Sequence, residues 1–185
     1  MSSLCRCESP QMHLSLYEAS VPVFLHYLSR LTGFVEVAER FARENELSIS
    51  ELLSAKMAPD MLPFERQVVI ATNFTLRAAF PLAGEAIPPY GDFPETAAGL
   101  RDRAEHAASL LRSLRSPQFA GAEARMLESQ AGEALVRLPA TEFLFQYALP
   151  NFFFHVTAAY AILRSRGVPL GKEDFDGYHS YPREP

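Results

Sequence analysis

The run Ala148-Leu-Pro-Asn-Phe-Phe-Phe-His155-Val-Thr-Ala-Ala-Tyr160-Ala-Ile-Leu-Arg164-Ser-Arg-Gly167 constrains this chain more than any other segment. It is helix-forming and apolar on nearly every side, which is the pattern of a helix surrounded by protein. Two polar side chains interrupt it, Asn151 and His155, four residues apart and therefore one turn apart on one face. Buried polar groups need hydrogen-bond partners. The pair therefore belongs to an internal polar network or lines a pocket. Tyr147 continues the same stripe one turn earlier, so its phenol can join them.

Other helices follow from the same periodicity. The first is expected from about Tyr17 to Asn45, with Val21, Phe24, Leu25, Leu28, Leu31, Val35 and Ala38 inward and an early Pro22 tolerated. Gly33 on this helix suggests close approach of a neighbour. Ser48 ahead of Ile-Ser-Glu51 has the form of a capping box for a short helix. Pro63 suits the start of a second long helix running through Gln67, Ala71, Phe74 and Ala78 to Pro81 or Gly84. Residues 83–94 carry too much Gly and Pro for regular structure. A third long helix is expected from Thr96 to Leu114, with Leu100, Ala104, Ala107, Leu110 and Leu111 inward.

Between Ser116 and Pro139 the pattern is weaker, and Gln130-Ala-Gly132 reads as the turn of a small β-hairpin. The last helix is expected from Thr141 to Arg166, kinked or divided at Pro150 and stopped by Gly167 and Pro169. Four long helices with short additions predict an all-α fold, an up-and-down four-helix bundle with a small hairpin. The domain is expected over residues 14–177, between a polar leader (1–13) and a C-terminal tail (178–185).

The charge pattern narrows function. A formal net charge of -5 over 185 residues lacks the basic footprint of a nucleic-acid binder. No window reaches the length of a membrane span and no signal-peptide core is visible, so a cytoplasmic, membrane-free protein is expected. Cys5 and Cys7 complete no zinc spacing. There is no Gly-rich phosphate loop, nucleophile elbow or HExxH.

The candidate site residues carry structural and functional readings side by side. His155 is a core histidine satisfied by Asn151, Gln67 or a carbonyl, or it exchanges a proton with a ligand, since imidazole titrates near neutrality, or in a third reading it ligates a metal with carboxylates such as Asp60. Asn151 satisfies the carbonyls that Pro150 frees near Gln146 and Tyr147, or it orients a ligand. Gln67 is the candidate that meets the Asn151–His155 stripe from across the core. Asp60, in the Pro-punctuated loop Lys56–Pro63, caps the second long helix or folds back to hold the His155 ring. The consecutive rings of Phe152, Phe153 and Phe154 cannot all face one core, so one must look outward. That favours a homodimer through the last helix.

Three blocks of the chain resemble a known family: Leu16-Tyr-Glu-Ala-Ser-Val-Pro-Val-Phe, Ala58-Pro-Asp-Met61 with Gln67, and the Ala148–Arg164 run with its closing Gly167-Val-Pro-Leu-Gly-Lys-Glu-Asp-Phe175. The family is a domain of unknown function similar to the DinB/YfiT-like superfamily, and the resemblance spans residues 14–177. It implies a four-helix bundle, commonly a homodimer. Relatives in the wider superfamily hold a divalent metal on three histidines, and some are thiol-dependent transferases or isomerases. Their last helix carries His-x-x-x-His followed by Leu-Arg-x-x-Gly. Here the matching residues are Asn151-Phe-Phe-Phe-His155 and Leu163-Arg164-Ser-Arg-Gly167, and no His stands between Gln67 and Ala71. The inherited metal site is therefore expected to be lost, leaving no metal and no cofactor. The resulting expectation is a small-molecule-binding bundle, and beyond that a metal-independent lyase or isomerase with His155 and Asp60 as catalytic groups and Asn151, Gln67 and Tyr147 around the ligand. A non-catalytic homodimeric bundle and a metal-dependent transferase of the DinB type are the alternatives.

Overall fold

In the computed structural model, which describes residues 14–179 (for Ala131 the backbone alone), four long helices carry the core: α1 (Val21–Glu44), α3 (Phe64–Leu82), α4 (Ala97–Ser113) and α6 (Leu149–Ser165). Shorter pieces join them: α2 (Ile49–Leu53), two 3-10 turns (Ser116–Phe119 and Ala122–Ala124), the hairpin β1 (Met126–Ala131) and β2 (Ala134–Pro139), α5 (Ala140–Glu142) and α7 (Lys172–Asp176). The leader with Cys5, Cys7 and His13, and the last residues of the tail, lie outside the described residues.

Most of the periodic apolar positions bury, although Leu25 and Leu110, expected inward, are only half-buried. Phe24, Leu28, Leu31, Phe34, Val35 and Ala38 of α1 are inaccessible, as are Phe64, Val68, Ala71 and Ala78 of α3 and Leu111 of α4. Each such Leu or Phe side chain contributes about 1.5–3 kcal/mol by leaving water. The main helix contacts run from α1 to α4, from α4 to α3 and from α3 to α6, with α6 returning against α1. The most extensive packing, α3 on α6, thus joins helices that are far apart in sequence, and it decides where the polar stripe of α6 points.

Local chemistry sets the ends. Thr96 caps α4, its hydroxyl accepting from the Gly99 N–H at 3.1 Å, a bond of about 1 kcal/mol. Gly99 is required there: a Cβ would stand 2.0 Å from the Pro94 carbonyl oxygen, so the loop can cross the helix only over a glycine. Gly33 departs from expectation. Nothing lies within 4 Å of where its Cβ would be, so no neighbour approaches it and it borders an open groove between α1 and α4. Ser48 does precede α2, but its hydroxyl bonds Ser50 Oγ at 2.7 Å rather than a helix N–H, so the capping box does not close.

Pro150 neither breaks nor sharply divides the last helix. The six residues Phe143–Ala148 before it widen into π-helical turns, continuous with α5 and α6. Proline lacks the N–H that the Gln146 carbonyl would receive and crowds that carbonyl, and a wider turn relieves both problems. β1 and β2 pair antiparallel from Met126↔Pro139 to Ala131↔Ala134, with Gly132 and Glu133 as the turn. One element was not legible: Lys172–Asp176, at the end of the expected domain where no helix was read, forms α7. It is held on α1 where His26 Nε2 donates to the Asp176 carbonyl at 2.7 Å and the Tyr178 ring stacks on His26.

Candidate functional site

α3 and α6 pack with Gln67 opposite His155. Gln67 is 2% exposed, in the first turns of α3, where the preceding loop folds back beside it. Its Nε2 donates to the Leu62 carbonyl at 3.0 Å. A carbonyl only accepts, so this contact identifies the NH2 end of the amide. The oxygen therefore faces His155, 2.7 Å from Nδ1. Opposite an acceptor, Nδ1 must carry the proton, and the neutral ring keeps its lone pair on Nε2. Nε2 makes no hydrogen bond among the described residues. Burial pushes the His155 imidazole below its usual range, which keeps the ring neutral. Phe74 stacks on it with centroids 6.0 Å apart, and Phe154 meets it edge-on at 5.2 Å.

The other expected residues are not gathered around that ring. Asn151 turns back along its own helix and donates to the Tyr147 carbonyl at 2.7 Å, so its amide meets one of the groups disturbed by Pro150. Asp60 is exposed and makes no hydrogen bond or ion pair among the described residues. It does not cap α3 either, because Pro63 occupies that position and Met61 and Leu62 stand between Asp60 and it. The support that a carboxylate was expected to give His155 comes from the Gln67 amide instead. Tyr147 faces a different neighbourhood, described below.

Two comparisons bear on what this bundle is. Residues 16–176 match the family described as Domain of unknown function (DUF1993). The chain belongs to that family. A solved structure titled as a DinB family member protein from Shewanella denitrificans superposes with a TM-score of 0.81 at 32% sequence identity, covering 91% of this chain and 96% of that one. Among curated proteins none matches the chain. The DUF1993 chain is thus a DinB-like helical bundle, as its three motif blocks, above all the last-helix run, lead one to expect.

The three-histidine metal centre of the wider superfamily does not fit these residues. Among the described residues no group of three or more His, Cys, Asp or Glu side chains could hold a metal ion. At the α3–α6 seam the groups beside His155 are a neutral amide and two phenyl rings, and an amide is a poor substitute for imidazole on a transition metal.

Sequence reasoning missed Arg77. From Val68 to Leu82 it is the sole charged residue of α3, which was a readable signal that something polar waits for it. Its guanidinium lies over the Phe74 ring, 4.7 Å from the centroid. Its Nη2 donates to Ser129 Oγ and the Gln130 carbonyl on β1, and at 3.5 Å to the Tyr147 hydroxyl. Ser129 and Tyr147 are themselves 3.4 Å apart. Tyr147 packs between Phe74 and Phe143 and presents its hydroxyl to this arginine. Phe74 consequently separates two polar centres, His155 with Gln67 and Arg77 with Tyr147.

Proposed function

We propose that this DUF1993 protein binds a small molecule at the α3–α6 seam and acts on it without a metal, with His155 Nε2 as the proton-accepting atom. The observation that carries this reading is the locked Gln67 amide. It fixes the imidazole tautomer, and with it the identity of the basic atom, through a group that is itself buried and held by the Leu62 carbonyl. A ring held neutral by burial can take up a proton where a charged one cannot. An acid/base group with no adjacent nucleophile suits a lyase or isomerase step, in which a proton leaves one carbon or heteroatom and is returned elsewhere on the product. Asn151 and Asp60 are not needed for it, since one serves its own helix and the other stands in solvent.

The test has two parts. Long-range 15N correlation spectra of the His155 ring should give the pattern of an Nδ1–H tautomer at pH 7. A thermal-shift screen of small metabolite-like compounds should find at least one stabiliser of the wild-type chain, and H155Q should lose that response while keeping its fold. An Nε2–H tautomer would remove the basic atom and sink the reading.

A second feature favours self-association. Phe154 is 57% exposed, and with Met57, Met61 and Phe153 it lines a shallow apolar concavity of about 480 Å³ along α6. An outward aromatic on such a surface supports the reading of a homodimer through α6. Light scattering of wild type and F154D at matched concentration decides it: dimer converting to monomer agrees, and an unchanged mass rejects it.

A further inference from the structure

Arg77 is a permanent cation with no carboxylate partner among the described residues. Its Nη2 is committed to the hairpin, but Nη1 and Nε make no hydrogen bond among the described residues. They are not sealed in protein either, because Arg30 Nε is the one fully buried side-chain nitrogen or oxygen without a partner found among them. The guanidinium instead borders a concavity of about 330 Å³ between α3, the Ile87–Tyr90 segment and β1. Its walls are the Ile70 and Ile87 side chains and the Tyr90 ring.

The other polar groups there are arranged as donors. Asn73 Oδ1 accepts from Arg103 Nη1 at 3.4 Å, so its NH2 end is the one left available. The Tyr90 hydroxyl makes no hydrogen bond among the described residues. Burial pushes the Tyr90 phenol up, with Arg77 acting in the opposite sense, so it stays protonated and able to donate. The one carboxylate on the rim, Glu128, is paired across the hairpin with Arg137 at 3.4 Å. A half-buried cation facing uncommitted donors is a ready receptor for an anion, which would gain several charge-assisted hydrogen bonds there. A single cation among apolar walls suits one negative charge on an apolar body better than a phosphate dianion, which draws on several cations or a helix N-terminus.

We propose that this concavity is a binding site for a small organic carboxylate: the carboxylate accepts from Arg77, Asn73 and Tyr90, and the apolar body lies against Ile70 and Ile87. The site is separate from His155 and does not depend on its chemistry.

Titration of the 15N-labelled full-length chain with benzoate, with benzamide as the neutral counterpart and inorganic phosphate at equal ionic strength, tests it. Benzoate should give saturable shifts of the Arg77 Nε–H and the Asn73 side-chain amide. Losing one charged hydrogen bond should weaken binding at least about tenfold, so that is the expectation for benzamide on wild type and for benzoate on R77Q. Y90F, losing a neutral donor, should weaken benzoate about two- to tenfold. If R77Q fails to fold because the hairpin comes loose, the benzamide and Y90F arms still decide. An arginine that only staples the hairpin would show no saturable shift with benzoate, or equal shifts with benzamide. Either result overturns the proposal, as does phosphate binding tighter than benzoate or a response spread over exposed arginines elsewhere.

Discussion

The two polar centres on either side of Phe74 solve opposite problems. At Gln67–His155 every committed atom is neutral, and the buried amide of one residue dictates the protonation of the other. What is left over is a single acceptor, Nε2. At Arg77–Tyr147 the charge is permanent, its bonds to Ser129 and Gln130 are made to neutral oxygens, and what is left over is a set of donors. The first centre is thus equipped to receive a proton and the second to receive an anion, although both sit on the same pair of helices and touch the same ring. Residue type alone does not make this difference. It comes from which atoms the fold has already used.

Q67L attacks the comparison hardest. It strands the Leu62 carbonyl and the His155 Nδ1–H together, and two partly buried groups left unsatisfied should cost about 2–4 kcal/mol in denaturant unfolding. A loss below about 0.5 kcal/mol would mean the dyad is not held as described. R77M should come next, at about 1.5–3 kcal/mol for hydrogen bonds to a charged group. Its mark should be faster amide exchange in β1 with little change at α6. If exchange rises equally at both centres, Phe74 does not keep them apart.

N151A should cost about 1 kcal/mol, the value of one hydrogen bond to the Tyr147 carbonyl, and leave the His155 ring resonances in place. A large shift of those resonances would return Asn151 to the site. The mildest effect concerns pH. Burial holds the folded pKa of His155 below the ordinary imidazole value of about 6.5, so the unfolded chain binds the proton more readily. The stability due to the neutral buried ring is complete above that value and is lost as pH falls from it through the folded pKa. The melting temperature of wild type should therefore decline relative to H155Q over that interval.

How far the sequence reached differs between the two centres for a physical reason. Asn151, His155 and Tyr147 lie on one helix, where a period of 3.6 residues places them on one stripe without knowledge of anything else. Gln67 was reachable because a buried imidazole requires a partner and α3 offers a polar residue near its start. Asp60 was misjudged because its distance from the helix depends on how the Pro59–Pro63 loop runs, which periodicity does not describe. Arg77 carried a local signal, a lone charge in an apolar helix, but its partners sit on a hairpin about fifty residues onward whose docking no spacing rule specifies.

By itself the chain determined its four long helices, the hairpin and its family, because each depends on neighbours a few residues apart or on a long contiguous motif, whereas the widened turn before Pro150 and the short α7 came only with the structure. Tertiary structure alone decided that α3 lies along α6, that Gln67 rather than Asp60 holds His155, that Asn151 serves its own backbone, and that Arg77 meets Tyr147 over the face of Phe74. Those outcomes depend on which polar atom reaches which partner first inside a close-packed core, and that competition is settled by distances between elements remote in sequence.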